Sequence, residues 1–247
     1  MKRLSWLMII GFVMMIALSS CGPRMTTKIS EFPGMYEEKP LSILILPPIN
    51  ETTAADAKEY YATTIQEPLV YKGFYVLPYP ITSEILKMEG IYDAELLKDV
   101  PLEKFKTYFG ADAVLFTTIK KWDMAYAVIA AALTVSIDCQ LKSTTSNRVL
   151  WQYTGTVTVD LSGGNAGGGI AAIIVKAIVT AVNSAMADYV PYARKANYIA
   201  LQTIPYGKYH RFYGKDQKVQ FVDLTPDKDK DTMVDQNKVE ESTESDY

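Results

Sequence analysis

Leu133-Thr134-Val135-Ser136-Ile137-Asp138-Cys139-Gln140-Leu141-Lys142 is the stretch that decides the fold. Apolar and polar residues alternate at every position, the period of a strand with one dry and one wet face. The polar run Ser143-Thr144-Thr145-Ser146-Asn147 follows, and Val149, Trp151, Tyr153, Val157 and Val159 then resume the alternation. Two such strands joined by a short polar loop form an antiparallel hairpin. Upstream, Gly110-Ala111-Asp112 turns into another strand over 113–122, so the hairpin belongs to a meander.

Working outward, Ser42-Ile43-Leu44-Ile45-Leu46 is a short apolar run closed by Pro47-Pro48, which reads as a buried strand. Tyr75-Val76-Leu77 reads as a second. Between them, Ala54, Ala57, Tyr61, Ile65 and Leu69 fall near helical spacing, giving a helix over 52–71 disturbed at Pro68. Residues 81–89 and 93–99 read as short helices, and Pro101 opens another with Leu102, Phe105 and Tyr108 on one face. A glycine-rich connector at 163–169 precedes an apolar, small-residue helix over 170–187 and a last helix near 192–203. The expected class is α/β in the α+β sense: a mixed sheet of about five strands with an antiparallel meander and flanking helices.

Composition narrows the function. Of 247 residues, 49% are hydrophobic and 21% charged, which is globular. Basic and acidic residues number 25 and 28, so no strong positive field exists to hold nucleic acid. Two Cys and one His exclude a Cys/His zinc site and a disulfide scaffold. The glycine connector lacks the Gly-Lys-Ser/Thr ending that holds phosphates, since Ile170 follows its last glycine. Cys139, on the dry face of its strand, reads as a buried free thiol, and Trp122 and Trp151 as core residues. His210 has no triad signature around it and reads as packed or surface-lying. No catalytic residue, cofactor site or metal site emerges, so the chain reads as non-enzymatic.

The N-terminus carries the sharpest motif. Lys2 and Arg3 precede an apolar run over 4–18, too short for a spanning helix, and Leu18-Ser19-Ser20-Cys21 follows. That sequence resembles the lipobox of lipoprotein precursors, in which the signal is cut before a Cys that receives acyl chains. The resemblance implies a signal peptide over 1–20 and lipidation at Cys21. Gly22 in place of Asp leans towards the outer membrane, and no acidic export cluster follows, which points to the inner leaflet, facing the periplasm. Residues 21–40 read as a lipidated tether, 41–214 as a single periplasmic domain, and 215–247 as an acidic, disordered tail. Residues 225–247 hold eight Asp/Glu against three Lys and the signal holds two cations, so 21–224 is neutral within a chain of net charge −3.

The order of these segments resembles a family of outer-membrane lipoproteins of unassigned role, with a fold similar to the N-terminal domain of TolB. More distantly it is similar to the periplasmic domain of the curli-secretion channel lipoprotein and to the lipoprotein activator of a peptidoglycan synthase. Leu46-Pro47-Pro48-Ile49-Asn50, Gly110-Ala111-Asp112-Ala113-Val114-Leu115, Trp122, Leu150-Trp151 and Tyr206-Gly207 carry the likeness. Gly207-Lys208-Tyr209-His210 departs from the family's Gly-Pro-Arg-His. The resemblance implies an accessory or scaffold subunit of an envelope secretion or assembly system, with an envelope protein as partner, such as a channel-forming lipoprotein. The alternatives are a regulator of a peptidoglycan synthase and a hydrolase of envelope polymers.

Overall fold

The computed structural model describes residues 25–91, 94–127, 130–160 and 190–222. In chain order these form β1 (Met25–Thr27), α1 (Lys28–Glu31), α2 (Pro33–Glu38), β2 (Ser42–Ile45), β3 (Ile49–Asn50), α3 (Ala57–Tyr71), β4 (Tyr75–Val76) and α4 (Tyr79–Met88). A 3-10 helix (Ala94–Asp99), α5 (Leu102–Phe109), β5 (Ala113–Ala127), β6 (Ala130–Ser143), β7 (Val149–Asp160), α6 (Val190–Ala200) and β8 (Gln220–Val222) follow. Signal residues 1–20, Cys21, the glycine connector, 170–187 and 223–247 lie outside the described residues.

The main sheet is mixed, in the order β4-β2-β5-β6-β7, with β3 continuing beside β5 beyond the end of β2. Pro47-Pro48 ends β2 because proline gives no ladder N–H. The chain then returns to the sheet at β3, where Ile49 pairs with Thr118. The long alternating stretch is β6, antiparallel to β5 and β7 as its period requires. A bulge at Lys120 inserts one residue into β5. The side-chain parity flips there, which lets Trp122 join Ile119 on the core face.

Each face carries its own core. On one, Ile43, Leu115, Leu133, Ile137, Leu141 and Trp151 pack beneath α3 and α6. Tyr61 from α3 donates or accepts at Thr117 Oγ1 (3.0 Å) and Cys139 Sγ (3.3 Å), which gives its buried hydroxyl partners. Asn197 Nδ2 of α6 donates to Thr64 Oγ1 of α3 at 2.9 Å. Pro68 sits inside α3 without ending it. On the other face, Leu44, Leu46, Leu86, Leu97, Phe105 and Val114 pack under α4, the 3-10 helix and α5.

Two boundaries of the sequence reading change. Residues read as tether are folded from Met25 onward: Phe32 and Met35 are core residues, and Phe32 stacks on Phe221 at 5.7 Å. Those apolar side chains lack helical periodicity because α1 and α2 span only four and six residues. Residues 215–222, read as the start of the tail, also belong to the body. β8 pairs antiparallel with β1, Met25 opposite Val222, in a separate two-stranded ribbon.

Candidate functional site

The ribbon, α1 and the turns of 204–219 build one corner of the molecule. Its centre is an ion pair shielded from water: Lys28 Nζ lies 3.1 Å from Asp216 Oδ2, with side chains 4% and 2% exposed. A buried charge needs its remaining hydrogen-bonding capacity filled. Lys28 Nζ also donates to Ile204 O at 2.8 Å and lies 4.8 Å from the Tyr206 ring centroid. Asp216 accepts from Tyr36 Oη at 3.2 Å and from Tyr206 N at 3.0 Å. One carboxylate therefore joins α1, α2 and the 204–216 turns. Burial lowers the Lys28 pKa, and the neighbouring Asp216 partly restores it.

Around this pair, Tyr206 stacks on His210 at 3.8 Å between centroids, and Lys72 Nζ lies 5.0 Å from the same ring. Burial, then the Lys28 charge, pushes the Lys72 pKa down to about 8. Desolvation and the charges of Arg211 and Lys72 hold His210 below the ordinary imidazole range. The corner is locked to α3 by crossing backbones: Gly207 N donates to Lys72 O at 2.8 Å and Tyr209 N to Gly73 O at 3.0 Å. A Cβ on Gly207 would collide with Gly73 O, which is why the Tyr206-Gly207 motif needs glycine.

A second surface opens on the far face of the sheet, where the α4–α5 layer stops short of β6 and β7. A cleft of about 390 Å³ there is lined by Lys98, Thr118, Asp138, Gln140, Lys142 and Gln152 among others. Apart from Lys98, on the 3-10 helix, these lie on the wet face of β5, β6 and β7. Asp138 faces Lys120 at 3.9 Å, and Lys120 binds Glu51 at 2.8 Å. The cleft presents a single carboxylate among amides, hydroxyls and lysines, beside an apolar edge of Leu46, Pro47, Ile49 and Phe116, a set suited to hydrogen bonding with a partly polar partner.

Other residues singled out in the sequence fall as follows. Cys21 lies outside the described residues. Cys139 is buried and free, and burial pushes its thiol up to about 11, so it stays protonated and inert. Trp151 is fully buried and donates from Nε1 to Thr203 Oγ1 at 3.1 Å; Trp122 is buried beside Tyr60. Glu37 and Glu38, read as loose tether residues, are held: Arg148 Nη1 contacts Glu37 at 2.7 Å, and Ser146 Oγ donates to Glu38 at 2.7 Å. They brace the β6–β7 turn. Lys28 and Asp216 were not among the candidate residues, and no local pattern marks a pair 188 positions apart. Among the described residues no group of three His, Cys, Asp or Glu could hold a metal ion, and no helix is long and apolar enough to cross a membrane.

The class the fold defines is α+β, a mixed sheet with flanking helices in a body whose first strand opens at Met25. The family described as "Putative lipoprotein GNA1162-like" matches residues 31–214, and the chain belongs to it. The match spans both the sheet and the 204–214 turns. "Putative lipoprotein NMB1124/NMB1162" of Neisseria meningitidis serogroup B is 28% identical over 181 residues, covering 73% of this chain and 83% of the relative. The crystal structure of lipoprotein GNA1162 from Neisseria meningitidis is similar at a TM-score of 0.46 and 28% identity, over 51% of this chain and 88% of that one. A PelC dodecamer from Paraburkholderia phytofirmans is similar at a TM-score of 0.41 and 14% identity, over 74% and 95% of the two chains.

Proposed function

We propose that the protein is an envelope lipoprotein held by acyl chains on Cys21, at the periplasm-facing leaflet of the outer membrane. Its non-catalytic body acts by contact, as an accessory or scaffold subunit of an envelope secretion or assembly system of the curli-channel type. The supporting observation is the position of the fold relative to the lipobox: β1 opens at Met25, four residues after Cys21. Four extended residues span about 14 Å at most. The body therefore rides against the leaflet instead of swinging on the nineteen-residue tether that 22–40 would have made. Several acyl chains, at about 0.8 kcal/mol per buried CH₂, make such an anchor nearly permanent.

A body so confined meets partners through the surface it turns away from the lipid. The polar cleft over β6 and β7 supplies one, with hydrogen-bonding groups fixed on rigid strands. Photocrosslinking from Gln140 in intact cells is the test. The expected result is a discrete adduct with one envelope protein, identified by mass spectrometry. Absence of any specific adduct from the cleft would sink the subunit reading. Stimulation of a purified peptidoglycan synthase would move the assignment to a regulator.

A further inference from the structure

The corner that begins the fold also carries uncompensated positive charge. Lys208, Arg211, Lys215 and Lys218 are all exposed, and among the described residues none has an ion-pair partner. The one acid in the same stretch, Asp216, is buried and committed to Lys28. Residues 21–224 are neutral as a whole, so this local excess is a property of the corner. Glu31, half-buried on α1, is a further acid of this corner and is already engaged. Apolar side chains stand out among the cations: Tyr209 is 67% exposed, Met25 53%, Val219 48%, Phe212 43% and Ile29 41%. Backbone bonds from Lys28 N to Val219 O and from Ile29 N to Gln217 O, both 3.1 Å, tie these turns directly to the first residues of the body.

We infer that this aromatic–basic corner is a membrane-contact surface, which seats the body on anionic phospholipid headgroups of the leaflet that carries its anchor. The occupant follows from connectivity and charge. The corner starts within about 14 Å of the Cys21 Cα by chain length. Screening at physiological salt extends over about 8 Å, so cations at the base of the body feel an anionic surface. Tyrosine and phenylalanine with Lys and Arg are the residues that settle at the headgroup level. An acyl anchor beside a basic patch is the two-signal arrangement known to hold peripheral proteins firmly. The contact fixes orientation: β2, β4, β5 and β7 begin at this end of the molecule, and Thr53, beyond β3, stands away from it along β5.

The inference rests on acylation of Cys21, and the experiment separates the two. The full, processed protein is reconstituted in vesicles of phosphatidylethanolamine with one-quarter phosphatidylglycerol, both brominated in the acyl chains. Phe212→Trp reports contact at the corner, and Thr53→Trp reports the opposite end. The expected result is strong quenching at position 212 and little at 53. Exchanging Lys208, Arg211, Lys215 and Lys218 for Gln is expected to cut the quenching at least about threefold, with the acyl mass on Cys21 unchanged. Equal quenching at both positions, or no dependence on phosphatidylglycerol, with Cys21 acylated, overturns the membrane contact and leaves the anchor standing. An unmodified Cys21 overturns the anchor instead. Quenching that appears only after the acids of 225–247 are exchanged for amides would show that the chain's own tail fills the corner, and would likewise overturn the inference.

Discussion

The corner around Lys28 and Asp216 and the cleft over Asp138 handle charge in opposite ways. In the corner the ion pair is inside, both partners nearly inaccessible, while Lys208, Arg211, Lys215 and Lys218 are exposed and, among the described residues, have no ion-pair partner. At the cleft the pairs lie on the surface: Asp138 on its lining and Lys120 and Glu51 beside it are each more than a third exposed and neutralise one another. Interior charge makes the corner rigid, because breaking the pair strands an ion in the protein. Surface charge contributes little to stability and leaves the cleft free to exchange partners. The first surface is suited to a permanent contact, the second to a reversible one.

The contrast breaks most clearly by removing one carboxylate from each region. Asp216→Ala leaves Lys28 buried without a counter-charge and deprives Tyr36 and Tyr206 N of their acceptor. The expected loss is about 3–5 kcal/mol in urea unfolding. Asp138→Asn should cost less than about 0.5 kcal/mol. Similar losses at the two sites would erase the distinction. Next in size is Gly207→Ala. Its Cβ meets the Gly73 carbonyl, and the crossing of the two backbones must open, at about 1–3 kcal/mol. Gly90→Ala is not a fair control because Gly90 has φ of +82°. Tyr61→Phe, in the core between the two surfaces, removes a hydroxyl bonded to Thr117 and Cys139 and should cost about 1 kcal/mol.

A further test sharpens the picture through pH. Lys72 is held at about 8 in the folded corner against an ordinary value of 10.5. Above pH 8 the folded protein releases this proton while the unfolded chain keeps it. The unfolded state then binds more protons, so stability rises with pH from about 8 towards 10.5. Melting temperature measured across that window should climb for the parent protein relative to Lys72→Met. A parallel pair of curves would mean that Lys72 is not desolvated by the corner.

How much was legible in the sequence follows the same division. The β6 and β7 strands and their turn were readable because one face meets the core and the other meets water, and that difference is written at every second residue. β2 and β4 were legible as short apolar runs, α3 and α5 by apolar spacing along one face, and α6 by the proline at its start. The wet positions that line the cleft were visible as the polar half of the same alternation. The corner was not. Lys28 and Asp216 sit in stretches whose charge and proline content suggested solvated chain, and their burial arises only when the two ends of the body meet. Short elements such as α1 and β8 carry no period of their own, since tertiary contact stabilises them. The Lys120 bulge was invisible for a similar reason: it corrects the register between neighbours and leaves no mark on composition.

The most direct test of the account is the intact mass of the protein isolated from its native envelope. The expected species begins at Cys21 and carries a diacylglyceryl thioether together with an acylated amine. A chain that retains residues 1–20, or begins elsewhere with an unmodified Cys21 thiol, would contradict it.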